Sequence, residues 1–123
     1  MTKILIAEDE RDIRELIIFT LRYAGYEVYA AINGEEALEM AINDPPDLIL
    51  LDVRMPRVSG YEVLERIKED QNLMHIPVAF LSAKGQESEV KKGLALGAVE
   101  YIIKPFAPDY LTERVNSILA KHK

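Results

Sequence analysis

Five short apolar segments recur along the chain, and amphipathic stretches separate them. Ile4 to Ala7 is continuous and apolar, the pattern of a strand buried on both faces. Glu27 to Ala31 is β-branched and aromatic enough for a second strand. Leu48-Ile49-Leu50-Leu51 is the most hydrophobic segment and runs directly into Asp52. Ile76 to Leu81 and Val99 to Ile103 supply the fourth and fifth strands, the last ending at Lys104-Pro105.

The intervening stretches carry a helical period. Ile13, Leu16, Ile17, Thr20, Leu21 and Ala24 share one helix face, and Gly25 sits where a left-handed cap ends it. Asn33-Gly34 is a hairpin signal, but Ala37, Leu38, Ala41 and Ile42 follow at helical spacing. Asn33 therefore reads as a helix N-cap, and Pro45-Pro46 stops that helix. A loop with Pro56 and Gly60 precedes a helix that turns Val63, Leu64 and Ile67 inward. A helix near Glu87 to Leu96 is closed by Gly97, and the last one carries Leu111, Val115, Ile118 and Leu119. Five strands alternating with five helices predict an α/β fold, a parallel sheet covered on both faces. Residues 1–123 read as one domain without repeat, low-complexity segment or linker.

Composition narrows the function. At 123 residues the chain suits a single core. Lys and Arg total 15 against 21 Asp and Glu, a formal net charge of -6 that argues against binding nucleic acid or anionic membrane. With no cysteine, disulfides, thiolate metal sites and cysteine nucleophiles are excluded. No apolar run approaches the roughly 18–20 residues of a membrane helix. The first apolar stretch is too short for a signal-peptide core, so a cytoplasmic location is the default expectation.

Ligands of open α/β sheets bind beyond the carboxyl ends of the strands. The first strand ends in Glu8-Asp9, the third in Asp52, the fourth in Ser82 and the fifth in Lys104. Three carboxylates at close quarters repel one another, and a divalent cation removes the conflict. Mg2+ suits such a site because it takes one or two carboxylates, keeps water and shares ligands with phosphoryl oxygens. A backbone carbonyl after Asp52 is a further candidate ligand. Lys104 can neutralise one phosphoryl oxygen, and Ser82 can donate a hydrogen bond to another. A carboxylate can itself accept a phosphoryl group. The pattern thus points to Asp52 as a phosphoryl-accepting aspartate.

These residues also carry a resemblance. Ile4-Leu5-Ile6-Ala7-Glu8-Asp9, Leu50-Leu51-Asp52-Val53-Arg54-Met55-Pro56 with Gly60, Phe80-Leu81-Ser82-Ala83 and Tyr101-Ile102-Ile103-Lys104-Pro105-Phe106 are similar, in order, to the response-regulator receiver domains of two-component signalling. The resemblance spans the chain and is to a chemotaxis-regulator-like single-domain receiver, either standing alone or cut from a longer regulator that carries an output domain. It implies a flavodoxin-like three-layer (βα)5 fold with strand order 2-1-3-4-5. It implies that Asp52 takes a phosphoryl group from the phosphohistidine of a histidine kinase or phosphotransfer protein. Glu8, Asp9, Asp52 and the Arg54 backbone carbonyl would hold Mg2+. Ser82, Lys104 and Tyr101 would bind the phosphoryl group or switch with it. The downstream partner would read the face of helix four, strand five and helix five, and a homodimer on phosphorylation fits the family. Lys104-Pro105 is a candidate cis peptide. Arg54 and Lys84, each two residues beyond a site residue, are candidates for tuning the phosphorylation or dephosphorylation rate.

Other readings compete. A Mg2+-dependent phosphohydrolase with an aspartate nucleophile would want an acid two residues after Asp52, where Arg54 stands. An FMN carrier would follow the first strand with a Ser/Thr/Gly-rich loop, whereas Glu8-Asp9-Glu10 follows here. A degenerate receiver would lack part of the acidic set. Glu8-Asp9 also suits a helix N-terminus. Gly25, Gly60 and Gly97 read as turn residues, and His75 and His122 as surface residues.

Overall fold

The computed structural model describes residues 1–83 and 87–122, with the side chains of Glu87 and Glu89 excepted. The elements follow as β1 (Lys3–Ala7), α1 (Arg11–Tyr23), β2 (Glu27–Ala31), α2 (Gly34–Asn43), β3 (Leu48–Asp52), α3 (Gly60–Glu69), β4 (Val78–Ala83), α4 (Glu87–Ala95), β5 (Glu100–Lys104) and α5 (Pro108–Lys121). All strand pairs are parallel, in the order β2-β1-β3-β4-β5. This is the flavodoxin-like arrangement expected above.

Alternation along each strand divides the core into two layers. Leu5, Ala7, Ile49, Leu51, Val78 and Phe80 meet the inner faces of α2 and α3. Ile4, Ile6, Leu48, Leu50, Ala79, Leu81 and Ile102 meet α1 and α5. Burying each of the Leu, Ile, Val and Phe side chains among them contributes about 1.5–3 kcal/mol, so the sheet interior dominates stability.

Local signals set the helix ends. Asn33 Oδ1 accepts from the Glu36 amide at 2.9 Å, and Ser59 Oγ from that of Glu62 at 3.3 Å. The Asn33-Gly34 pair therefore opens a helix rather than a hairpin. Gly25 and Gly97 follow α1 and α4 at φ of 99° and 117°, where a side chain would be strained.

Several details depart from the sequence reading: β5 begins at Glu100 rather than Val99, and Ala24 is the exposed C-cap of α1 rather than part of its inward face. β4 begins at Val78 rather than Ile76, because Pro77 has no amide to give the ladder. Gly60 is the first residue of α3 rather than part of the loop. Leu16 and Ile42 share a helical period with buried neighbours yet are 41% and 60% exposed. Ile17, Thr20 and Leu21 hold α1 against the sheet, leaving Leu16 to line a groove between α1 and α5.

Candidate functional site

Strand alternation also arranges the polar residues past the core. Glu8 continues the parity of Ile4 and Ile6, Asp52 that of Leu48 and Leu50, and Lys104 that of Ile102. Ile6 pairs with Leu50 across β1 and β3, so the same register sets Glu8 beside Asp52. Carboxylate oxygens of Glu8, Asp9 and Asp52 lie within 4.8 Å of one another. Lys104 reaches across β4, placing Nζ 3.1 Å from both Glu8 Oε1 and Asp52 Oδ2.

Glu8 is fully buried, Asp52 is 6% exposed, and Asp9 is exposed. Burial raises the Glu8 pKa from 4.5 to about 7, reinforced by its hydrogen bond and charge interaction with Asp52; the Glu10 amide and Lys104 oppose the rise. Burial alone would lower the Lys104 pKa. The carboxylates of Asp52 and Glu8 outweigh it, so the ammonium is held above its usual value. Among the described residues, Lys104 thus bridges two of the three clustered carboxylates, Glu8 and Asp52. Hard oxygen donors with surplus negative charge fit a hard divalent cation such as Mg2+, and the three acids are the residues that could hold it.

The loop after Asp52 folds back on the acid's own strand. The Arg54 amide donates to Asp52 Oδ1 at 3.3 Å, and the Gly60 amide to the Val53 carbonyl at 3.0 Å. A Cβ on Gly60 would lie 2.3 Å from the Asp52 carbonyl oxygen, so this close approach requires glycine. The Arg54 side chain is exposed.

Ser82 and Tyr101 belong to the other layer. Ser82 shares the parity of Phe80, is 1% exposed, and its hydroxyl donates to the Ala83 carbonyl at 3.3 Å. Tyr101 pairs in register with Phe80 and packs, half-buried, against the same cluster. The Lys104-Pro105 peptide bond is cis. Lys84 lies outside the described residues. His75 and His122 are exposed.

Two features escaped sequence reasoning. Arg14 Nη1 donates to the carbonyls of Glu8 and Asp9, at 2.9 and 3.3 Å. On a helical wheel it looks like an ordinary solvated cation. Gly93 inside α4 lies against the Phe80 ring, so close that a Cβ there would be 2.2 Å from Cε2. Its place in the helical pattern carries no signal of that contact.

A parallel sheet covered on both faces, with a carboxylate cluster and Lys104 at its carboxyl edge, is an open doubly wound α/β fold with an acidic site at its strand ends. A family profile for the response regulator receiver domain matches residues 4–116, and the chain belongs to that family of two-component signalling proteins. It is 43% identical over 118 residues to the phosphate regulon transcriptional regulatory protein PhoB of Pseudomonas aeruginosa, covering 96% of this chain and 52% of that protein. It is 43% identical over 119 residues to the alkaline phosphatase synthesis transcriptional regulatory protein PhoP of Bacillus subtilis, covering 97% of this chain and 49% of that protein. The chain therefore spans about half the length of these curated relatives. Among solved structures, a putative response regulator from Chloroflexus aurantiacus superposes with a TM-score of 0.93 at 37% identity, over 97% of this chain and 98% of that one. The chemotaxis response regulator CheY4 of Vibrio cholerae gives 0.91 at 32%, over 96% and 98%. Among the described residues no helix is long and apolar enough to cross a membrane.

Proposed function

We propose that residues 1–123 form a phosphoacceptor receiver domain in which Asp52 takes a phosphoryl group from the phosphohistidine of a histidine kinase or phosphotransfer protein. The observation that carries this reading is the meeting of Glu8, Asp9, Asp52 and Lys104 at one sheet edge, although they come from three separate strand ends. An Asp52 carboxylate oxygen bonds to phosphorus as the phosphorus–nitrogen bond of the phosphohistidine breaks, and the imidazole nitrogen takes the electron pair. Glu8, Asp9, Asp52 and the Arg54 carbonyl would hold Mg2+, which supplies charge neutralisation for the phosphoryl oxygens. Lys104 leaves its bridge to Asp52 and pairs with one of those oxygens, and Ser82 donates to another.

The switch is a shift between two states. Ser82 turns toward the phosphoryl group, Tyr101 moves into the space beside it, and the face of α4, β5 and α5 changes. Tyr101 already lines a groove with Ile103, Phe106 and Tyr110, two of which, Ile103 and Tyr110, are 37% and 45% exposed. A partner transmits the signal only if it prefers one state. On this reading the chain is a cytoplasmic signalling switch whose own catalysis stops at its phosphorylation and hydrolysis. Arg54 and Lys84 tune those rates. A homodimer on phosphorylation is one use of the switched face, and the domain itself contacts neither nucleic acid nor membrane.

Intact-protein mass after incubation with a small phosphodonor tests the chemistry. One phosphoryl group is gained with Mg2+, and none without it or in Asp52→Asn. A gain that persists in Asp52→Asn overturns the assignment.

A further inference from the structure

The proposed Mg2+ site has one weakly held member. Glu8 is fixed from several directions: its amide donates to the Ala31 carbonyl at 3.2 Å, Oε2 accepts from the Glu10 amide at 3.1 Å, and Oε1 accepts from Lys104. Asp52 is held by Lys104 and the Arg54 amide. The Asp9 carboxylate is exposed and has no hydrogen bond among the described residues. Its direction is therefore set by its backbone, which lies in the turn between β1 and α1. Glu10 at the N-cap of α1 offers no side-chain cap there.

We infer that Arg14 is the positioning residue that aims Asp9, by clamping the Glu8 and Asp9 carbonyls with one guanidinium nitrogen. The inference rests on the metal reading proposed above. Helix electrostatics do not explain Arg14, since a cation near the N-terminal end of α1 gains nothing from the helix dipole. The two carbonyl contacts, at 2.9 and 3.3 Å, do explain it. Arg14 is itself half-buried, and its bond to the Glu8 carbonyl is partly sheltered from water, while the bond to the Asp9 carbonyl is exposed. A cation beside a divalent-ion site repels the ion. If Arg14 acted through its charge, removing it would tighten Mg2+ binding. Positioning predicts the opposite sign.

The test is Mg2+ titration of the full chain by calorimetry, beside thermal unfolding without metal. Arg14→Ala is expected to weaken Mg2+ binding about ten-fold, the usual cost of losing a group that orients a ligand. Arg14→Lys, which keeps the charge and one donor group, recovers part of that loss. If Arg14→Ala unfolds, Arg14→Met, which keeps the apolar stem, takes its place. Unchanged or tighter binding in a folded variant overturns the inference, even if the metal-free protein melts lower. Asp9→Asn separates the two levels. If it loses Mg2+ binding while Arg14→Ala keeps it, the metal reading stands and the positioning role falls. If Asp9→Asn binds Mg2+ like the parent, both fall.

Discussion

Helices α1 and α4 lie against the same sheet but are held to it differently. α1 buries Ile17 and Leu21 completely, and Arg14 and Arg22 tie it to the carbonyls of Glu8, Asp9 and Val28. α4 buries Val90 and sets the backbone of Gly93 against the Phe80 ring, while Lys92 lies 4.8 Å from the centroid of the Tyr61 ring. Side-chain burial and hydrogen bonds anchor the first helix. Among the described residues, burial of Val90, a close backbone approach and a cation–π contact hold the second. The carboxylate cluster thus lies on the α1 side of the sheet, and Ser82 and Tyr101 on the α4 side.

Substitutions can break or sharpen that contrast. The largest effect is expected from Leu21→Ala, which leaves a cavity in the α1 layer and costs about 2–5 kcal/mol, read as a lower urea midpoint for the whole domain. Gly93→Ala is expected to cost about 1–3 kcal/mol by overpacking. Its signature in hydrogen exchange is faster exchange confined to α4; exchange spreading to α1 would erase the distinction.

Next comes the charge site. The folded Glu8 binds its proton more tightly than the unfolded chain does. Between its ordinary value of 4.5 and about 7 the folded state therefore carries the extra proton, and stability falls as pH rises through that window. Glu8→Gln removes this dependence. Relative to the parent, the variant gains on the order of 2 kcal/mol as pH rises across the window, measured as the difference between the two urea-unfolding profiles. Mg2+ competes with the same proton, so it should raise the melting temperature of the parent more at about pH 8 than at about pH 5.5. The smallest effect belongs to Arg66→Ala on the outside of α3. Its exposed pair with Glu62 at 3.0 Å contributes about 0.3–0.5 kcal/mol.

The fold was legible because burial on both faces writes itself as unbroken apolar runs, of which Leu48 to Leu51 is the clearest. Glu8, Asp9 and Asp52 were legible as a group because a carboxylate straight after such a run has nowhere to go except the strand end. Contacts made at right angles to the chain's periodicity were not. Gly93 looks like a weak spot in a helix until the Phe80 ring is placed under it. Arg14 looks solvated until the turn before α1 folds back over it. Leu16 obeys the helical period yet sits at a groove, because the period reports which side of a helix is apolar but not how far the neighbouring element extends over it.

The two-residue repeat of the strands has one more consequence. Asp52 and Lys104 project to one side of the sheet, while Ser82, on the strand between theirs, projects to the other. Moving the hydroxyl to position 81 or 83 would keep the chain's inventory intact but place it on the face of Asp52 and Lys104, away from the Tyr101 face that the proposed switch requires. In the proposed switch, the link between the two sides of the domain is a matter of odd and even numbers, and a single inserted residue in β4 would exchange the faces on which Leu81, Ser82 and Ala83 lie.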